Sequence, residues 1–386
     1  MKIFFIHNLY FPQERGGAEK YVRRLASEAT AAGHQALIIT TAEADRQWEV
    51  DGLPVFGLAS DFAAIGDRPM LRRYVWQLAN LRGKRRAEKL QQILAREQPD
   101  LVVTCNMIGL GMACLEIAAK YRHVHILHDV QLLYPSGLVQ FGLERRVDAW
   151  IFKIYRAWLR PSLAKVKKVV SPSLWLLDWH RQRGLFAKAE CKVLANPQPN
   201  LKAGVRPAIR ADRPFRLLFV GQLEKHKGLK VLVEAYRLLD KQKFTLTIAG
   251  DGSLAKWLSE QTFEGLTVLG RQTSEEVSNL MSRSDCLIVP SLVWENAPLV
   301  LSEALACGLP AIGSDFGGIA EMIDDDELRF MPGDAISLAD KIKRLARQTE
   351  SSRQASRSNL ASEPKAIWGA TDYLKALLAF AFDVDK

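Results

Sequence analysis

The chain has 386 residues, 48% of them hydrophobic and 25% charged, and a net charge of +10. This excludes a disordered or fibrous class, and the length suits roughly two to three domains, each with its own core. No apolar run reaches the roughly 18 residues of a membrane span, and "MKIFFIHNLYF" turns polar too soon for a secretion signal, so a cytoplasmic protein is expected.

The first strand is "KIFFIHN". A loop follows, and Gly16-Gly17 opens the helix "GAEKYVRRLASEATAAG". Next come the strand "HQALIITT" and a long basic helix within Arg72–Arg96. "DLVVTCN", a helix from about Gly109 and the strand "HVHILHDV" complete the first series. A second basic helical segment runs from Arg145 to Lys168. The plainer reading of the two basic segments is a pair of solvated amphipathic helices; the sharper one is contact with an anionic membrane surface. No nucleic-acid motif accompanies the charge, so nucleic acid is not expected as a partner.

Residues 195–214, "ANPQPNLKAGVRPAIRADRP", are proline-rich and aperiodic, as a linker should be. Beyond them "FRLLFVG", the helix "GLKVLVEAYRLLD", "FTLTIAGDG", "LTVLG", a helix near Glu275, "DCLIVPS" and "PAIGSD" repeat the alternation of strand and helix. Buried parallel strands read as β-branched runs with helical crossovers. The chain is therefore expected to hold two doubly wound α/β domains, residues 1–195 and 214–365, joined by a linker at 196–213. A final helix, about 366–386, is expected to pack back on the first domain. Ligands of open parallel sheets bind outside the carboxyl ends of the strands, so a site in a cleft between facing domains is expected.

Cys105, Cys114, Cys191, Cys286 and Cys307 are scattered and form no C-x-x-C pair; they read as reduced thiols, not as a disulfide frame or zinc site. His123, His125 and His128 raise the idea of a metal cluster, but if the strand stays regular alternation turns His128 away from the other two, and no nearby carboxylate cage is evident. The D-x-D spacing within Asp324-Asp325-Asp326 follows a helix and reads as a surface turn. No metal or cofactor is expected.

The most informative stretch is "WENAPLVLSEALACGLP", where Glu295 and Glu303 stand eight positions apart in an apolar run. "CLIVPS" reads as a buried strand with the loop to Asn296 leaving its carboxyl end. Pro298 suits a first helical turn and Asn296 lies near the cap. The free N–H groups of a helix start form an anion site, here with a carboxylate on either side. A nucleotide-sugar fits that layout, with diphosphate in the middle and hydroxyls at both ends. The plainer alternative is a capped core helix with two solvated glutamates.

"SLVWENAPLVLSEALACGLPAIGSDFGGIAEMI" resembles the E-x7-E region of the family 4 retaining glycosyltransferases, which have the GT-B fold. Other stretches resemble the family in the expected order: "GGAEKYVRRLASEATAAGHQALIIT", "HD" at His128-Asp129, "VSPSLWLLDWH", "LANPQ", "LLFVGQLEKHKGLKVLVEAYRLL" and "TIAGDGSL". The resemblance implies that Glu295 hydrogen-bonds donor-sugar hydroxyls, with backbone N–H groups near Asn296, Ala297 and Leu299. It implies that Glu303 holds the ribose hydroxyls and Lys227 neutralises the leaving diphosphate. His128 would contact the donor sugar. Gly16 and Gly17 would bring backbone close to the diphosphate or sugar, and Arg271 would meet the base. Gln222 departs from the pattern, since the family usually has arginine directly after the glycine of "FVG". The plainer readings are a turn at Gly16-Gly17, a hydrogen-bonded strand-end histidine and a solvated lysine.

The resemblance implies a retaining, metal-independent transferase that moves a sugar from a nucleotide-sugar to a hydroxyl acceptor docked by the first domain. The basic helices suit a lipid-linked glycan in cell-surface polysaccharide assembly, with the enzyme peripheral on the cytosolic membrane face. Two alternatives stay open: a GT-B hydrolase or epimerase of nucleotide-sugars, and a non-catalytic nucleotide-sugar-binding subunit, the latter motivated by Gln222. A dinucleotide dehydrogenase is disfavoured, because "HNLYFPQERGGAEK" lacks the G-x-G-x-x-G fingerprint.

Overall fold

The computed structural model describes residues 1–13, 16–67, 69–197, 213–354 and 369–383. The linker expected at 196–213 lies almost wholly outside the described residues. The chain divides into two compact units. One holds Met1–Leu138, Glu144–Pro197 and Trp368–Lys386; the other holds Val139–Leu143 and Gln198–Ile367.

In the first unit β1 (Lys2–Ile6), β2 (Gln35–Ala42), β3 (Arg46–Val50), β4 (Leu53–Ala59), β5 (Leu101–Thr104), β6 (His123–Ile126), β7 (Lys168–Ser171) and β8 (Glu190–Val193) form one sheet. Their order is β3-β4-β2-β1-β5-β6-β7-β8. All pairings are parallel except β3 with β4. Ile3, Phe4, Phe5 and Ile6 are all buried, as expected of a strand covered on both faces. The β3–β4 hairpin turns at Asp51-Gly52, both with left-handed φ (51° and 76°), and Val50 pairs Leu53. Asp-Gly is the residue pair such a two-residue turn favours.

The long basic helix expected within Arg72–Arg96 is two helices, Met70–Ala79 and Lys84–Glu97. The break has a tertiary cause. The backbone of Leu81 and Arg82 accepts hydrogen bonds from Met112 and Ala113 N–H, and Gly83, at φ 61°, lies so close to Leu110 O that a Cβ would fall 2.1 Å from it. The second basic segment is helical only from Trp150 to Leu163, after a short 3-10 turn at Glu144–Asp148. The helix Ala370–Phe382 joins the core of this unit: Tyr373, Leu374, Leu377 and Phe380 share a cluster with Phe5, Tyr21 and Leu25. Lys168 Nζ donates to the carbonyls of Phe380 and Asp383 near the end of this helix, each at 2.9 Å, a favourable place for a cation.

In the second unit β9 (Phe215–Val220), β10 (Phe244–Ala249), β11 (Leu266–Val268), β12 (Cys286–Val289), β13 (Ala311–Ser314) and β14 (Arg329–Phe330) form a parallel sheet of order β11-β10-β9-β12-β13-β14. Alternation along β9 sends Leu217 and Phe219 to one core and Leu218 to another. Val139–Leu143 adds to the loop after β12: Trp294 N–H donates to Val139 O and Phe141 N–H to Leu292 O, both at 2.9 Å. No helix among the described residues is long and apolar enough to cross a membrane.

Candidate active site

In the second unit the strand order reverses between β9 and β12, where an open α/β sheet opens a crevice for ligand. The segment after β9 carries Lys227, and the segment after β12 carries Glu295. The two meet: Lys227 Nζ donates to Glu295 Oε1 at 2.6 Å. Ser291 Oγ donates to the same oxygen at 3.0 Å. The Lys227 side chain is 27% exposed and that of Glu295 15%. Burial by itself would raise the Glu295 carboxyl, but the Lys227 charge and the two hydrogen bonds outweigh it and hold the group below its usual range. Glu295 is therefore an acceptor-only carboxylate at neutral pH.

The backbone around this pair is fixed by close packing. Gly228, at φ 73°, lies where a Cβ would meet Pro290 O at 1.7 Å. Leu292 N–H donates to His226 O at 2.8 Å, so the lysine and glutamate segments are laced together. Gly318 N–H donates to Glu295 O at 2.9 Å, and a Cβ on Gly318 would fall 1.3 Å from Asn296 O. Beside Glu295, Trp294 packs edge-on against Phe316, and Phe316 against Phe141, at centroid distances of 5.0 and 5.1 Å.

The helix after Glu295 runs from Leu299 to Ala306, so Pro298 takes the N-cap place rather than the first turn. Proline itself offers no side-chain cap hydrogen bond, and Asn296, expected near the cap, lies two residues before it. Leu301 and Ser302 N–H donate to Pro298 O, both at 3.1 Å. Among the described residues no such acceptor serves Leu299 or Val300 N–H, which stay available at the helix start. Glu303 is the fifth helical residue, about one turn in, and is partly exposed. Gln222 and Arg271 are exposed, the first in the loop after β9, the second after β11.

In the first unit the order reverses between β1 and β5. Here the polar groups are His7 after β1, Asn106 after β5, His128 and Asp129 after β6, and Glu19 on the helix Gly17–Ala31. The ring of His128 lies 4.6 Å from that of Tyr21 and 6.2 Å from that of His7. Burial pushes His128 down to about 4 and, together with His128, keeps His7 low. Asp129 accepts from Asn106 Nδ2 and Gln131 N–H at 3.0 and 2.8 Å; burial still raises it to about 6. At neutral pH His128 is a neutral imidazole, able to donate to or accept from a hydroxyl.

Gly16 and Gly17 begin the helix Gly17–Ala31, and Gly16 N–H donates to Glu19 Oε2 at 3.0 Å. At Gly16 a Cβ would meet nothing closer than that oxygen at 3.9 Å, so the packing of the protein does not itself demand glycine there. His123 and His125 lie at 2.7 and 2.9 Å from one hydroxyl, Thr104 Oγ1. That contact engages one nitrogen of each ring, and His123 Nδ1 is buried without a hydrogen-bond partner among the described residues. Because β6 ends at Ile126, His128 lies beyond the strand, and strand alternation does not set its direction. Asp325 caps the 3-10 turn Asp326–Leu328. Sequence reasoning gave no functional role to Ser291, Gly228, Gly318, Glu19 or Asp129. The "HKG" and "FGG" glycines were the signals, since each stands where a loop must approach another closely.

Residues 15–197 match the sequence pattern described as Glycosyltransferase Family 4, and residues 206–360 match that of Glycosyl transferases group 1. An uncharacterized glycosyltransferase of Methanocaldococcus jannaschii is 31% identical over 334 residues, 84% of this chain and 83% of its own length. Among solved structures, the lipopolysaccharide outer core galactosyltransferase WaaB superposes with a TM-score of 0.66 at 17% identity, over 99% of both chains. Anabaena HepE, solved with UDP and glucose, gives 0.64 at 17% identity over the whole of both chains. These likenesses identify the fold as GT-B. With both halves matched in order and a relative similar along most of its length, the chain belongs to the group 1, family 4 glycosyltransferases.

Proposed function

We propose that this glycosyltransferase moves a sugar, with retention, from a nucleotide-sugar to a hydroxyl of a lipid-linked glycan in cell-surface polysaccharide assembly, working at the cytosolic membrane face. The observation that carries the donor side of this reading is the Lys227–Glu295 pair at 2.6 Å, at the order reversal of the second sheet. The lysine keeps the glutamate ionised, and an ionised carboxylate accepts hydrogen bonds from sugar hydroxyls. When a donor arrives, its diphosphate gives the lysine a second anionic partner, and charge there grows as the sugar bond breaks. Leu299 and Val300 N–H at the helix start supply further positive potential, so the chemistry asks for no metal. Glu303 then takes the ribose, Arg271 the base and His128 the sugar, with Gly16, Gly17, Gln222, Asn296 and Ala297 along the donor. The acceptor oxygen attacks from the face that the diphosphate leaves, and a phosphate oxygen takes its proton.

Two of the structural relatives favour this assignment: HepE was solved with UDP and glucose, and WaaB is a lipopolysaccharide galactosyltransferase. The test is a calorimetric screen of nucleoside diphosphates and their sugars, followed by transfer assays with lipid-diphosphate-linked acceptors. Binding of one nucleotide with transfer of its sugar is expected. Release of free sugar or an epimerised donor without acceptor would replace the reading with hydrolysis or epimerisation. Tight binding with no turnover on any acceptor would make the protein a binding subunit.

A further inference from the structure

The helix Trp150–Leu163 is apolar on two faces. Tyr155, Leu159 and Leu163 face the core of the first unit. Trp150, Ile151, Ile154 and Trp158 are exposed by 73, 52, 49 and 67%. At 3.6 residues per turn, these four fall within about 100° of arc. Nothing in the fold calls for them. A soluble surface helix normally turns a polar face to water, and a contiguous apolar stripe rimmed by polar groups marks a surface that something else covers.

The rim decides what covers it. Lys153 and Arg160 stand along one side of the stripe, and Arg145 and Arg146 lie just before its start; all four are exposed. Among the described residues no carboxylate lies within ion-pair distance of any of them, although Lys153 is near enough to Asp148 to help lower its carboxyl. The acids nearest in sequence are Glu144 and Asp148. Asp148 is taken by Arg183, at 2.7 and 2.8 Å, and lies 3.5 Å from Arg156. A second copy of the chain would bring this basic rim against itself, which like charges oppose. An anionic bilayer answers both parts: its headgroups meet the bases and its acyl boundary takes the stripe. Tryptophan suits that depth, with an apolar ring body and one polar N–H. Lysine and arginine lay their stems along apolar surface while their heads stay with the phosphates.

Of the two helices of the first basic segment, Met70–Ala79 exposes, of its described large apolar side chains, only the shorter Val75 and Leu78, by 60 and 59%, and Lys84–Glu97 lacks the apolar half of this pattern. Its Ala87, Leu90 and Leu94 are buried, and none of its large apolar side chains is exposed. Arg86 is turned inward, donating to Leu110 O at 2.9 Å and Asn80 Oδ1 at 3.2 Å. Charge alone gives weak attraction that salt screens.

We infer that the helix Trp150–Leu163 is a membrane-docking face that lies in the surface of an anionic bilayer. The inference deepens the reading of a membrane-borne acceptor and rests on it, but fails separately from it. The experiment is flotation of the full chain with vesicles of phosphatidylcholine alone, or of equal parts phosphatidylcholine and phosphatidylglycerol, alongside calorimetry with the donor nucleotide. Wild type should float with the mixed vesicles, at least about tenfold less with the neutral ones, and less as salt rises. Trp150→Ser with Trp158→Ser should lower binding about tenfold or more and leave nucleotide affinity unchanged. Lys153→Gln with Arg160→Gln should abolish most of the anionic preference. Lys84→Gln with Arg85→Gln should cost less than that. If the tryptophan pair compromises folding, Ile151→Ser with Ile154→Ser addresses the same stripe. No vesicle binding by wild type, equal binding to both vesicles, or undiminished binding by the stripe variants overturns the inference, and with nucleotide binding intact the transferase reading stands. A wild-type dimer in lipid-free solution that Trp158→Ser dissociates would also overturn it and assign the face to a second copy.

Discussion

The two units place polar groups at equivalent points of their sheets but manage charge in opposite ways. Beyond β9 and β12 the second unit pairs a lysine with a glutamate, and the glutamate is held ionised in a partly buried setting. In the first unit the histidines in and beyond β6 and after β1 are largely buried, His7 with Glu19 Oε1 4.0 Å away, and burial drives them toward neutrality: His128 to about 4 and His123 to about 3, with His7 and His125 also low, as is His180 on the helix Leu174–Gln182, at about 4. A developing negative charge needs a fixed cation, whereas a sugar hydroxyl needs only a neutral donor and acceptor. On the proposed reading, the contrast separates an electrostatic half of the chemistry from a positioning half.

The largest expected effect tests the neutral side. A histidine whose folded pKa lies below its unfolded value of 6.5 binds its proton first in the unfolded chain. Stability is therefore full above about pH 6.5 and falls as pH drops toward the folded values. His128, His123 and His180, with folded values near 3 or 4, each cost about 1–2 kcal/mol between pH 7 and 5, and His7 and His125 act in the same direction. Asp129, raised to about 6, works the other way and offsets roughly one of them. In the second unit Glu295 is lowered, so its contribution is lost only below the usual carboxylate range, and its single histidine, His226, is lowered by burial. Native-state hydrogen exchange at pH 7 and 5 should show the first unit losing far more protection. Equal losses would erase the comparison.

The next effect tests the charged side. Lys227→Met removes the cation and leaves Glu295 partly buried without its partner. Turnover should fall roughly a hundredfold or more, the scale of a lost electrostatic stabiliser. The acid limb of the pH–rate profile should also move up, because burial without Lys227 raises the carboxyl. An unmoved limb would mean that Glu295 is not held ionised by this lysine. His128→Ala should be milder, about ten- to a hundredfold in transfer, the worth of one strong hydrogen bond, with an unchanged thermal melt. Full activity would return His128 to a purely structural place against Tyr21.

Much of this was legible in the sequence, and the gaps have physical reasons. The alternating strand–helix series and the two glutamates stood out because buried parallel strands and helix starts leave local patterns. The β3–β4 hairpin was missed although Asp51-Gly52 announces it, since the strand "RQWEV" is half polar. The break at Gly83 was hidden because its cause, Leu110 O, is distant in sequence. So was the meeting of Lys227 with Glu295, 68 residues apart, which no spacing rule reveals.

A smaller effect separates the two glutamates. Glu303→Ala should weaken nucleoside diphosphate binding about tenfold, since hydrogen bonds to a charged group are worth roughly 1.5–3 kcal/mol. Glu295→Ala should spare that affinity and depress transfer. Equal loss of nucleotide affinity in both would show by calorimetry that the division of roles is wrong.

The smallest effect concerns Gln222, where the family pattern expects arginine. Gln222 follows Gly221 at the end of β9 and is exposed, while Lys227 is already engaged by Glu295. A second cation would share the diphosphate and leave the lysine freer to stay on the glutamate. Because the position is exposed, the added charge acts through water. One such interaction at about 4 Å is worth about 1 kcal/mol, which is roughly fivefold in rate. Gln222→Arg should therefore raise turnover at saturating donor by no more than about fivefold, and the gain should shrink with salt. Placed on Lys227→Met, the same arginine should recover part of the loss, because it supplies charge to the same phosphates. A drop of more than about tenfold in the single variant would show that the glutamine contacts the donor through its amide. The charge deficit inferred from its departure would then not exist.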